Sequence, residues 1–93
     1  MNLKIIASGS YQHLEQIRTF IHTNDEFINP VEIEVSDDCY EVHCDYENFP
    51  DEIIYQMTKT WGMLMFNFYH TVNGKTTQLT ILGEDLMYAG EPQ

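Results

Sequence analysis

Two segments of strict alternation, Val31-Glu32-Ile33-Glu34-Val35 and Tyr40-Glu41-Val42-His43-Cys44-Asp45-Tyr46, commit the middle of the chain to paired β-strands. Side chains on a strand point to opposite faces in turn, so each segment presents one apolar row and one polar row. Asp37-Asp38 between them has the chemistry of a tight turn. Taken as a two-residue turn, it sets Val35 opposite Tyr40, Ile33 opposite Val42 and Val31 opposite Cys44 on one face. Glu34 then meets Glu41, and Glu32 meets His43, on the other. The apolar row is expected to face the core and the carboxylates to face solvent.

The same stretch sets the charge of the molecule. Between Thr19 and Thr58 there is no lysine or arginine, yet eleven carboxylates occur there. Residues 1–18 sum to +1 and residues 59–93 to −1, so this block accounts for the whole net charge of −11. A run of like charge commonly marks a disordered tail. The alternation with valine, isoleucine, tyrosine and cysteine argues for a folded surface instead. So does the presence of twelve aromatic residues and five methionines, which a disordered chain would lack. Such a surface repels nucleic acid and membranes and attracts basic proteins.

The remaining pattern is legible on both sides of the hairpin. Leu3 to Ser8 reads as a short buried strand. Ser10 is placed to cap a helix whose apolar stripe is Tyr11, Leu14, Ile17 and Ile21. Asn48 or Phe49 caps a second helix with Pro50 in its first turn, a stripe of Ile53, Ile54, Met57 and Trp61, and Gly62 at its end. Met63 to His70 is a dense strand, and Asn73-Gly74 is a strong hairpin signal. That turn pairs Phe68 with Leu79 and Phe66 with Ile81 inward, and Asn67 with Thr80 and Tyr69 with Gln78 outward. Gly83-Glu84-Asp85 turns the chain into a last short strand, Leu86 to Ala89, and Glu91-Pro92-Gln93 is expected to fray.

Ninety-three residues make one domain, 1–93, with the order βαββαβ plus added strands. The simplest fold is α+β and ferredoxin-like: an antiparallel sheet with both helices on one face. Asn2-Leu3-x-Ile5, Ser8-Gly9, the helix through Phe20-Ile21, the strand ending Asp45-Tyr46 and the Pro50-initiated helix resemble a ferredoxin-like domain of small phage- and plasmid-encoded proteins. That family carries a Trp-x-Pro-Pro element before its second helix, where this chain has Tyr46-Glu47-Asn48-Phe49-Pro50. The resemblance implies a mobile-element context and transfers no activity.

No constellation for catalysis is found. Ser8-Gly9-Ser10 lacks the spacing of a phosphate loop, and no lysine follows it. Cys39 and Cys44 lie an odd number of residues apart, on opposite strand faces, and so are expected to be reduced thiols rather than a disulfide. Their spacing does not suit zinc, and no metal or cofactor is expected. The N-terminal segment is too short and too quickly polar for a signal peptide or membrane helix, so a cytoplasmic location is expected.

The leading expectation is a non-enzymatic acidic protein that binds a basic, nucleic-acid-binding host protein. An inhibitor of CRISPR or restriction from a phage or plasmid would act this way, by nucleic-acid mimicry or channel blocking. Its contact residues are expected to be Glu32, Glu34, Asp37, Asp38, Glu41, Asp45 and Glu47, with the first two, Glu41 and Asp45 in one outward row. Alternate strand residues repeat every ~6.8 Å, close to the span of two phosphates on one DNA strand. No direct contact with nucleic acid or membrane is expected, and a monomer is favoured. The alternative is a ferredoxin-like interaction domain, homodimer or adaptor, whose acids serve solubility. Tyr55, Asn67 and Tyr69 are further candidates for an exposed patch.

Overall fold

The computed structural model describes residues 2–82 and 85–90, with side chains described for residues 2–81. The elements run β1 (Asn2–Ser8), α1 (Tyr11–Thr23), β2 (Ile28–Val35), β3 (Cys39–Asp45), α2 (Asp51–Thr60), β4 (Met65–Val72), β5 (Lys75–Leu82) and β6 (Asp85–Gly90). All six strands form one sheet in the order β2-β3-β1-β4-β5-β6, and every neighbouring pair is antiparallel. The order β2-β3-β1-β4 is the ferredoxin-like arrangement expected of a βαββαβ chain. β5 and β6 extend the sheet beyond β4. The strand expected near Leu86 is β6, whereas residues 83, 84 and 91–93 lie outside the described residues.

β1 is paired on both edges, and its alternate residues Leu3, Ile5 and Ala7 are completely buried. The same face continues through Tyr40, Val42 and Cys44 of β3 and Phe66 and Phe68 of β4. Leu14, Ile17 and Ile21 from α1, with Ile54 and Met57 from α2, close the core from above. Both helices therefore cover one face of the sheet. The other face remains open, with Lys4, Ile6, Ser8, Cys39, Glu41, His43, Asn67 and Tyr69 all half-buried.

The β4–β5 hairpin has the register read from its turn: Phe68 faces Leu79, Phe66 faces Ile81, Asn67 faces Thr80 and Tyr69 faces Gln78. Asn73 (φ 54°) and Gly74 (φ 78°) both take the left-handed conformation that a two-residue hairpin of this twist demands. Helix ends differ from expectation. Ser10 stands at the α1 cap position, but its hydroxyl bonds the His13 ring (2.6 Å) rather than a backbone N–H. Pro50 is the residue before α2, whose first turn is acidic through Asp51 and Glu52. Gly62 is not among the positive-φ residues; the helix instead ends through Trp61 N–H to Met57 O (3.0 Å) and Leu64 N–H to Trp61 O (3.0 Å).

Gly9, at the junction of β1 and α1, is required by both conformation and space. Its φ is 155°, and a Cβ there would lie 2.0 Å from Cδ2 of the buried Leu64. Its N–H donates to the Asp38 carbonyl at 3.1 Å, which ties the acidic β2–β3 turn to the start of α1.

Trp61 was expected in the core beside Phe66, but it is only half-buried. Its ring packs edge-on against Phe20 at 5.4 Å, and its Nε1–H donates to Gln16 Oε1 at 2.7 Å, so it bridges the two helices at their outer rim. Phe66, fully buried and stacked on Phe68, is core. Phe66→Ala should therefore cost ~3–5 kcal/mol, and Trp61→Ala roughly half as much. Urea unfolding of the two variants checks this ranking, and equal losses would contradict it.

Candidate functional site

The β2–β3 hairpin is built as expected at its turn and out of step with expectation beyond it. Ser36 N–H donates to Cys39 O at 3.0 Å, closing Asp37-Asp38 as the turn, and Val35 faces Tyr40 while Glu34 faces Glu41. The register then shifts between Glu32 and Glu34. Past that bulge Glu32 faces Val42 and Val31 faces His43, the reverse of the pairing predicted from unbroken alternation. A second shift between Ile28 and Val31 includes Asn29 in the left-handed region (φ 49°) and Pro30, which has no N–H to donate. Cys44, expected opposite Val31, is opposite Leu3 on its other side.

The consequence is an exchange of faces. Val42 is on the core side, so Glu32 is carried to the helix side of the sheet. There the lone arginine of the chain, Arg18 on α1, meets it with two hydrogen bonds: Nε to Oε2, and Nη2 to Oε1 at 2.9 Å. Glu15 lies 3.6 Å from the same guanidinium. The Arg18 hydrogen bonds hold the Glu32 carboxyl below the usual carboxylate range, against its own desolvation. Tyr40 is buried beside the pair; burial first, and then Glu32, push its phenol well above the ordinary range. Its hydroxyl makes no hydrogen bond of normal geometry. Glu32 is thus a structural ion pair and not part of an outward row. Arg18 was the sequence signal for this, being the single bidentate donor available to an acidic block.

The other predicted contact residues remain accessible, in a different pattern. Glu34 and Glu41 face each other on the open side, and the Glu41 carboxylate accepts from His43 Nε2 at 2.9 Å. Asp37 and Asp38 are exposed in the turn just beyond them. Asp45 and Glu47 are exposed at the opposite end of β3. Here the chain brings in acids that the strand pattern did not single out. Asp25 and Glu26 lie three and two residues before Ile28, whose partner is Asp45, and Glu26 lines one concavity with Asp51 and Glu52. The result is two acidic poles at the ends of β3, separated by about 20 Å for a strand of seven residues.

Neither thiol is disposed to act as a nucleophile at neutral pH. Burial pushes Cys44 up to about 11, and burial followed by the charge of Glu34 raises Cys39. Both are free, on opposite faces as expected. Among the described residues, no group of three or more histidine, cysteine or carboxylate side chains is placed to hold a metal ion. A groove of about 320 Å³ runs between α2 and β5, lined by Phe49, Ile54, Leu79 and Ile81 together with Asp51, Tyr55, Thr58 and Lys59; the Thr58 hydroxyl donates to the Tyr55 carbonyl (3.1 Å) and not to a base. Of the expected patch residues, Tyr55 is exposed, whereas Tyr69 lies under Lys4 Nζ (4.7 Å) and Asn67 accepts from Thr80 Oγ1 (2.6 Å).

Comparison with protein-family models, curated proteins and solved structures finds no match to this chain. No helix among the described residues is long and apolar enough to cross a membrane.

The two glutamates of β2 should respond oppositely to neutralisation. Glu32→Gln removes the partner of Arg18 and should lower the melting temperature by about 2–5 °C. Glu34→Gln relieves a like-charge pair and should leave it unchanged or slightly raised. Thermal melts of both variants check this, and the same sign for both would contradict the register. The pH dependence follows from the depressed Glu32 carboxyl. Its contribution is complete above the unfolded carboxylate value of ~4.3 and disappears as pH falls through the lower folded value. The gap in melting temperature between wild type and Glu32→Gln should therefore be constant near neutrality and close below about pH 4.

Proposed function

We propose that this chain is an acidic, non-enzymatic protein that binds a basic, nucleic-acid-binding host protein and occupies its nucleic-acid surface. A phage- or plasmid-borne inhibitor of CRISPR or restriction would have this chemistry. The observation that carries the reading is the collection of eleven carboxylates, without a lysine or arginine in the same segment, at and around the β2–β3 edge of a folded sheet. Arg18, the cation reaching this edge from α1, is consumed internally by Glu32. The exposed acids are left to present an uncompensated field, which speeds encounter with a cationic surface and weakens with salt.

The mode of contact differs from a phosphate-like row. With Glu32 turned inward, the accessible carboxylates form two poles and not a regular ladder. Glu34, Asp37, Asp38 and Glu41 make one, and Asp45 and Glu47, joined by Glu26, Asp51 and Glu52, make the other. Two poles fit a channel that is basic at two places better than a continuous strand of phosphates.

Pull-down from a host lysate tests the reading. A nucleic-acid-binding protein should be recovered at roughly 0.05 M salt and lost at about 0.5 M. A variant with Glu34, Asp37, Asp38 and Glu41 neutralised should recover ~10-fold less, while Glu32→Gln should bind nearly as wild type. Equal recovery by the neutralised variant would refute the acidic edge as the contact.

One observation favours a second reading, an interaction domain that pairs with its own copy. Val31, Ile33 and Val35 on the outermost strand are all about half exposed. Sedimentation at neutral pH separates the two. A tight dimer insensitive to salt would favour self-pairing, and a monomer would favour the acidic binder.

A further inference from the structure

We propose that the free edge of β2 accepts one strand from a basic partner, namely an extended segment in which lysine or arginine alternates with apolar side chains. This rests on the reading of the chain as a binder of basic proteins and specifies how the partner is held. β2 is the last strand of the sheet, paired only with β3, so one row of its backbone groups has no neighbour in the sheet. Along this edge Val31, Ile33 and Val35 are 58%, 53% and 47% exposed. Three large apolar side chains on an open edge are a liability that proteins ordinarily remove with lysine or other charge. An added strand would cover them and supply ladder hydrogen bonds, as in recognition by β-augmentation.

Charge decides which strand fits. Glu34 and Glu41 stand on the open side with Val31, Val35 lies on the helix side opposite Tyr40, and Asp37 and Asp38 stand at the end of the same edge. A second copy of this chain would bring its own Glu34, Asp37 and Asp38 against these, on a body of net charge −11. A strand with alternating basic residues places cations on the open side against Glu34 and Glu41, and its apolar residues meet Val35 on the helix side, whereas Val31 lies on the open side past the bulge. The usable length is short. Pro30 and the shift around Asn29 end pairing on one side, and the turn ends it on the other, leaving Val31–Val35, itself stepped by the bulge between Glu32 and Glu34.

The probe is a blocked eight-residue peptide of alternating lysine and valine. Its control is the same peptide N-methylated at alternate residues, with charge and side chains unchanged but one row of backbone donors removed. Hydrogen exchange of the full chain is read by NMR with each peptide. Expected are about tenfold slower exchange at two or more amides in residues 31–35, unchanged α2 amides, and about tenfold weaker binding of the methylated peptide. Ile33→Lys should weaken the unmethylated peptide by a similar factor while leaving the melting temperature nearly unchanged, since the side chain is exposed. Equal, salt-sensitive binding of both peptides without protection of residues 31–35 would overturn strand addition and leave the acidic reading standing. No binding of either peptide at low salt would overturn both. Protection of the edge that grows with protein concentration in the absence of peptide would make a second copy the occupant and overturn the proposal.

Discussion

The acidic half of the molecule depends on one interaction across its layers, the guanidinium of Arg18 held by the carboxylate of Glu32. It fastens α1 to the outermost core-side position of the sheet, beyond the reach of the apolar cluster. Without it the phase of β2 beyond the bulge would be decided by burial alone, and burial favours Val31 and Ile33 on the core side together with Val35. An inward carboxylate requires a partner, and the arginine supplies one in a geometry that a lysine would not reproduce. The bulge in β2 is the backbone's accommodation of that choice. The cost is visible in the same strand, where apolar side chains are left in solvent.

Most of the fold was legible in the residues because most signals agreed with one another. The Asn73-Gly74 turn and the inward-outward alternation on both sides of it select the same register, and the structure has it. The order of elements, the two helices on one face and the added final strand follow from periodicity and from the simplest way to bury it. The misreadings arise where a local signal was opposed by a distant group. Val31 to Val35 alternates without a flaw, and nothing within the segment announces an extra residue. The opposition comes from Arg18, fourteen positions from Glu32, and from Asn29-Pro30, which break the regular ladder before Val31. Trp61 stands on the apolar stripe of its helix but at the end of it, where the other helix covers only one side of the ring.

The acidic surface was legible as composition and not as shape. Counting carboxylates locates the charge to a stretch of chain, and alternation then suggests a row. Connectivity overrides the row. The β2–β3 turn and the two loops at the other end bring acids from separate segments into two groups, including Glu26, Asp51 and Glu52, which belong to no strand. Gly9 contributes by binding the Asp38 carbonyl, so one group is carried on a fixed support and not on a free loop.

The irregular backbone of β2 also limits growth. A strand laid against a bulged edge inherits the step, so its own outer row no longer presents the even spacing that a further strand needs. Pro30 withholds a donor at the next position along. Open apolar edges propagate into fibres when each layer reproduces the template for the following one. Here the template is spent after a single short addition, and the carboxylates beside it repel another copy of the chain. An edge of this kind is competent for one guest and poor at polymerisation, which lets a small sheet protein keep valine and isoleucine in water.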